Sequence, residues 1–263
     1  MLNYPHIDPI IFSVGVVKVR WYGLMYVFGF LLGWWLARKR AALSWSTIKP
    51  EQVDDLIFYA MLGVILGGRL GYSIAYGWDQ LISDPLYIFK ITEGGMSFHG
   101  GLVGVLVAMW LFGRRIGLTM WQVSDFLAPM VPLGLGFGRI GNFINNELWG
   151  KPTEVPWAFN INGVGLHPSQ LYEALLEGLA LFAILWWYSS KQRPHMAVSG
   201  MFLLFYGVFR FAIEFFRVPD AHLSYLALGW VTMGQVLSAP MIVLGAVMLF
   251  MSHRAPARQS GSA

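Results

Sequence analysis

Cysteine is missing from all 263 residues. Its absence excludes a disulfide framework, a thiolate metal site and a cysteine nucleophile belonging to the chain itself. Charge is scarce too. Only 12% of residues are Asp, Glu, Lys or Arg, against about 25% in a soluble globular domain. With 56% hydrophobic residues, this is the composition of a polytopic membrane protein. The formal net charge of +4 is small. It is read by where the charges sit and implies no nucleic-acid partner. The first fifteen residues hold Asp8 and two prolines but no basic stretch before an apolar core, so they do not read as a cleaved signal peptide. Residues 255–263 are small and polar, and are expected to be disordered.

What is abundant is apolar sequence in long runs. Seven segments stand out, at 21–37, 54–76, 97–113, 122–139, 171–188, 197–216 and 231–251. Each approaches the ~20 residues that cross a bilayer as a helix. The expected fold is therefore all-α: one integral-membrane domain over 1–263 with seven transmembrane helices. Residues 150–168, with Lys151, Pro152, Pro156 and Gly163, are too polar for lipid and read as a small outer-face cap. Basic residues follow the odd spans: Arg38, Lys39, Arg40 and Lys49; Arg114 and Arg115; Lys191, Arg193 and His195; His253, Arg254 and Arg258. The positive-inside rule then puts the N-terminus outside and the C-terminus in the cytoplasm. Lys18 and Arg20 oppose the rule and are outvoted by four basic loops.

Glycines recur at intervals of four: Gly29 and Gly33, Gly63, Gly67 and Gly71, Gly100 and Gly104. Small residues at this spacing let membrane helices touch backbone to backbone. Ionisable groups in hydrocarbon cost several kcal/mol unless paired or hydrated, so each needs a reason. In the orientation above they gather in the outer half: Tyr22 and Tyr26, Arg69, His99, Arg139 with Asn142 and Glu147, His167, Glu173 and Glu177, then Tyr206, Arg210 and Glu214. The last three are four apart in turn and share one helical face. They form either an intrahelical Arg210–Glu214 pair facing a neighbouring helix or part of a binding site. Glu173 and Glu177 need cations, for which Arg69 and Arg210 are candidates. Arg139 has no acid within helical pairing distance. His99, between glycine pairs, is either a structural histidine near a helix end or a group beside which a ligand fits. His99, His167 and Glu147 could offer metal ligands, but no ligand spacing such as His-x-x-x-His appears, and neither metal nor cofactor is expected.

The densest polar stretch is Gly138 to Gly150, Gly-Arg-Ile-Gly-Asn-Phe-Ile-Asn-Asn-Glu-Leu-Trp-Gly. It is either a capped helix end with solvated side chains or a binding site for something polar. Arginine suits bidentate contact with phosphate. Two arginines with a histidine, tyrosines and amides open to lipid suit a phospholipid headgroup entering sideways.

This stretch resembles the signature of bacterial prolipoprotein diacylglyceryl transferases, Gly-Arg-x-Gly-Asn-Phe-x-Asn-x-Glu-x-x-Gly, at every fixed position. Trp21 to Tyr26, Gly94 to Gly101, His167 to Glu173 and Tyr206 to Arg217 are similar to that family in the same order. The loop after Gly150 is short against some members. The resemblance implies an inner-membrane enzyme that moves the diacylglyceryl group of phosphatidylglycerol onto the lipobox cysteine of a preprolipoprotein signal peptide, releasing glycerol 1-phosphate. A substrate thiol as nucleophile fits a chain that has none. Residue chemistry and resemblance together make His99, Arg139 and Arg210 the catalytic candidates. Phosphatidylglycerol contacts are expected at Arg139, Arg210, Asn142, Glu147, Tyr22, Tyr26, Tyr206 and Glu214, with bilayer lipid as the surroundings.

Other readings fit less well. A transporter needs a polar path inward, and the inner halves of the spans are almost purely apolar. A retinal protein needs a lysine in the last span, and 231–251 has none. A non-catalytic assembly subunit leaves the outer polar residues unexplained.

Overall fold

The structure is a computed structural model that describes residues 1–15, 17–90, 94–219 and 225–254. The tail expected to be disordered, 255–263, lies outside the described residues. In chain order the elements are β1 (Leu2–Asn3), β2 (Ile10–Val14), β3 (Val17–Arg20), α1 (Trp21–Ala41), α2 (Pro50–Ala75) and α3 (Trp78–Ser83). After a short 3-10 turn come α4 (Phe98–Ile116), α5 (Met120–Leu127), α6 (Val131–Ile144), β4 (Phe159–Ile161) and β5 (Val164–Leu166). The last three helices are α7 (Ser169–Tyr188), α8 (Ala197–Ile213) and α9 (Met233–Arg254).

The protein is mostly helical, and the helix ends follow local rules. Ser97 caps α4, its hydroxyl accepting from Gly100 N at 3.2 Å. Gly117, at φ +75°, closes α4 in the left-handed conformation that glycine adopts without strain. Three helices are long and apolar enough to cross a membrane among the described residues: α2, α7 and α9. A fourth span results if α4 and α5, bent by 116°, are one broken crossing. Their flanks bear large apolar side chains that are mostly exposed, such as Leu66, Val103, Leu179, Val243 and Phe250. That is the surface of a membrane protein.

Two expectations change. The apolar segment at 122–139 is not one helix. It breaks at Ala128–Met130 between α5 and α6, where Pro129 and Pro132 each remove a backbone donor. The fold is also not purely helical. β2 and β3 pair antiparallel around a turn with Gly15 at φ +59°, and β1, β4 and β5 form a three-stranded sheet in the order β1-β4-β5. β-Branched residues at Ile10, Ile11 and Val19 favour strand over helix ahead of Trp21. Residues 150–168 hold the β4–β5 hairpin.

The chain divides into two compact units, Met1–Leu36 with Leu127–Ala263, and Ala37–Phe126. In the second unit the glycine ladder does what its spacing predicts. A methyl built on Gly63 would lie 2.6 Å from Gly104 O, and one on Gly71 would lie 2.7 Å from Gly100 Cα. α2 and α4 therefore touch backbone to backbone. Arg69 is buried in this unit. Its guanidinium donates to Ile88 O at 3.1 Å, Gly94 O at 2.5 Å, Gly95 O at 3.2 Å and Tyr87 O at 2.6 Å. It binds carbonyls of its own unit and is not a partner of Glu173 or Glu177.

In the first unit Leu181, Leu185, Ala197 and Val198 form the centre of the core, with Phe202, Phe205 and Phe209 packed against it. α6 meets α7 closely, a methyl on Gly178 falling 2.7 Å from Gly136 Cα. At the contact, α7 widens from α-helix into a π-helical stretch over Ala174–Ala180. Such stretches are rare and concentrate at functional sites.

Candidate active site

Three guanidiniums and three carboxylates meet in the first unit where α6, α7 and α8 converge. Glu173, at the start of the π stretch, is the hub. Arg139 Nε lies 2.6 Å from Glu173 Oε2, and Arg210 Nη1 lies 3.0 Å from Oε1. Arg217 Nη1 also donates to Oε1. Arg210 reaches Glu214 Oε1 through Nη2 at 2.5 Å, a pair one helical turn apart. Arg217 Nε approaches the same oxygen at 3.3 Å, and Glu177 Oε1 stands 3.8 Å from Arg210 Nη1. Glu173 and Glu177 side chains have 0% exposure, whereas Arg139, Arg210 and Arg217 keep 24%, 18% and 14%. The acids are thus buried, and the part of the cluster that stays accessible belongs mainly to the arginine side chains.

Arg139 is therefore paired after all, with an acid from a different helix that sequence distance hides. Asn142 links it to the rest of the signature. Arg139 Nη1 donates to Asn142 Oδ1 at 3.4 Å, and Asn142 Nδ2 donates to Glu147 Oε1 at 2.7 Å. Beyond α6 the chain turns sharply, with Asn146 at φ 58° and Leu148 at φ 60°. Ser169 Oγ donates to Leu148 O at 2.7 Å, Gln170 Nε2 donates to Glu147 O, and Gly150 N donates to His167 O at 2.9 Å. These bonds hold a left-handed leucine that would otherwise be unfavourable. The signature is a strap pinned to the start of α7.

Tyr22 and Tyr26 of α1 lie against α6. Tyr22 and Tyr26 hydroxyls are 3.1 Å apart. A methyl on Gly141 would lie 2.8 Å from the Tyr22 ring, and one on Gly138 would lie 3.6 Å from the Tyr26 hydroxyl. Tyr206 sits one turn before Arg210, stacked on Phe202 at 5.6 Å. His167 Nδ1 is 3.0 Å from the Tyr172 hydroxyl, which also accepts from Trp157 Nε1 at 2.7 Å. Burial holds the His167 imidazole below its ordinary value, favouring the neutral ring. His99 belongs to the second unit. It is exposed in the first turn of α4, its ring 5.7 Å from that of Phe98.

Residues 9–251 match the family model described as prolipoprotein diacylglyceryl transferase. The chain belongs to this family. It is similar to phosphatidylglycerol–prolipoprotein diacylglyceryl transferases from several bacteria. The Oleidesulfovibrio alaskensis protein is 58% identical over 252 residues, 95% of this chain and 94% of its own length. That of Methylococcus capsulatus is 58% identical over 253 residues, 95% of this chain and 97% of the relative. That of Chromohalobacter salexigens is 54% identical over 259 residues, 97% of this chain and 96% of the relative.

Within this diacylglyceryl transferase, the cluster can bind an anion. Guanidiniums held by buried carboxylates suit phosphate oxygens. Five of the expected site residues lie in or beside the cluster: Arg139, Asn142, Glu147, Arg210 and Glu214. Sequence reasoning gave Arg217 no part in the site. Its place three residues after Glu214 was the available signal. It also missed Thr232, whose hydroxyl donates to Glu214 Oε2 at 2.7 Å.

Proposed function

We propose that the protein transfers the diacylglyceryl group of phosphatidylglycerol to the lipobox cysteine thiol of preprolipoproteins, releasing glycerol 1-phosphate. The observation that carries this reading is the cluster of Arg139, Arg210 and Arg217, partly accessible side chains set against buried carboxylates. The names of the relatives supply donor and acceptor. In the reaction the substrate sulfur bonds to the glyceryl carbon as that carbon's bond to the phosphate oxygen breaks. The electron pair leaves with the phosphate. Arg139 and Arg210 stabilise the charge that grows there more than the charge present in the ground state.

Asn142 adds a neutral hydrogen bond, Glu147 and Glu214 orient the arginines or take the glycerol hydroxyls, and Tyr22, Tyr26 and Tyr206 line the headgroup site. His99 is the base that takes the thiol proton. A free thiol titrates near 8.5, so little thiolate exists unaided at neutral pH, and an imidazole nitrogen is a common proton acceptor. The setting is the bacterial inner membrane, crossed seven times, with the N-terminus outside, the C-terminus cytoplasmic and the site in the outer leaflet. Supporting that arrangement, helices occupy all seven apolar segments, and α1, α4 and α9 end in basic turns.

The test is incubation of the purified protein with phosphatidylglycerol labelled in its acyl chains and a lipobox peptide. Label on the peptide cysteine with release of glycerol 1-phosphate is expected. Intact lipid with no peptide labelling would overturn the reading.

A further inference from the structure

α9 opens with Thr232-Met233-Gly234-Gln235. Thr232 and Gln235 form a capping box: Gln235 N donates to Thr232 Oγ1 at 3.3 Å, and Thr232 N donates to Gln235 Oε1 at 3.0 Å. Both residues are buried. A hydroxyl has one proton and two lone pairs. Because the cap uses a lone pair, the proton of Thr232 is free for the 2.7 Å bond to Glu214 Oε2. The other oxygen, Oε1, faces Arg210 Nη2 and Arg217 Nε. Gly234 completes the seat. A methyl built there would lie 2.5 Å from Glu214 Oε1 and 2.8 Å from Oε2. The carboxylate fits against the first turn of α9, where the helix N-terminus favours negative charge, only because residue 234 has no side chain.

We propose that Thr232, Gly234 and Gln235 are positioning residues that set Arg210 and Arg217 through the carboxylate of Glu214. The proposal rests on the arginine cluster being the phosphate site. The start of α9 is thereby keyed to arginine geometry as well as to helix formation. Alanine is ordinarily the better helix residue, so Gly234→Ala should leave the fold intact. The atom its methyl would strike is the end of the Glu214 side chain, which can swing aside. Doing so withdraws Oε1 from both guanidiniums.

The experiment uses the full chain in detergent with labelled phosphatidylglycerol and a lipobox peptide. G234A is expected to keep its unfolding midpoint and to lose kcat by about 10²-fold, the usual effect of a displacement near 1 Å. KM for the lipid should move much less. T232V keeps the shape, loses the donor, and should fall similarly, while T232S should stay within a few-fold of wild type. A G234A protein with wild-type turnover overturns the proposal. So does T232S as impaired as T232V, or a loss of activity matched by a loss of stability. A second readout does not depend on the reaction. In protein carrying ¹⁵N-arginine, G234A should shift the Nε–H resonances of Arg210 and Arg217, and unmoved resonances overturn the proposal. Wild-type protein that transfers no label while these resonances do shift would instead strike the transferase reading and leave the positioning role standing.

Discussion

At the scale of the residue, the fork geometry of arginine is the property to test. Lysine keeps the charge but offers a single point in place of a planar pair of donors. Arg139→Lys should therefore lower kcat/KM by about 10²–10³, the loss seen when one donor to a developing oxyanion is removed. Wild-type turnover at normal expression would take Arg139 out of the mechanism. Glu173 is a different kind of residue. It is fully buried and faces Arg139, Arg210 and Arg217 at once. Removing one partner of a buried pair costs about 3–5 kcal/mol, so Glu173→Gln should lower the unfolding free energy by that much in a denaturant titration. An unchanged midpoint would mean the three cations do not depend on it. His99→Gln keeps a hydrogen bond but cannot act as a base near neutral pH. It should lose about 10²–10⁴-fold in rate. A variant within a few-fold of wild type, with the acidic limb of its pH–rate profile unchanged, would leave thiolate formation to the arginines.

Among elements, the most explicit sequence signal was the glycine ladder, and its effect can be measured. A methyl on Gly67 would lie 2.7 Å from Gly104 Cα, where backbone must give way. Gly23, on α1, has nothing within 4 Å of such a methyl. Gly67→Ala should therefore destabilise the protein by about 1–3 kcal/mol, as overpacking does, while Gly23→Ala should be neutral or slightly stabilising. Thermal unfolding of both in one detergent compares them directly, and equal midpoints would refute backbone contact between α2 and α4. The π stretch of α7 had no such signal. Ala-Leu-Leu-Glu-Gly-Leu-Ala reads as ordinary helix, yet it widens where Gly178 meets Gly136 on α6. The break between α5 and α6 was partly visible in Pro129 and Pro132, yet hydropathy averaged over the window joined the two.

For the whole molecule, the open prediction is topology. Reporter fusions after residue 45, beyond the basic end of α1, and after residue 160, in the β4–β5 hairpin, should report opposite sides of the membrane. Both in the cytoplasm would remove the argument for an outer-leaflet site.

Composition alone made this a membrane protein, because a chain with so little charge and so many apolar runs has few other solvents. Local spacing was enough to mark glycine faces suited to close helix contact, the Tyr206–Arg210–Glu214 stripe and the signature stretch, since each depends on residues within a helical turn or on a repeat of four. Partner choice across helices was not legible. Arg139 binds an acid 34 positions along the chain, Arg69 binds carbonyls where an acid was expected, and Thr232 reaches back to Glu214. Those choices follow from which helix faces meet, and a buried charge takes whichever counter-group packing delivers within reach. Only the tertiary structure could decide that.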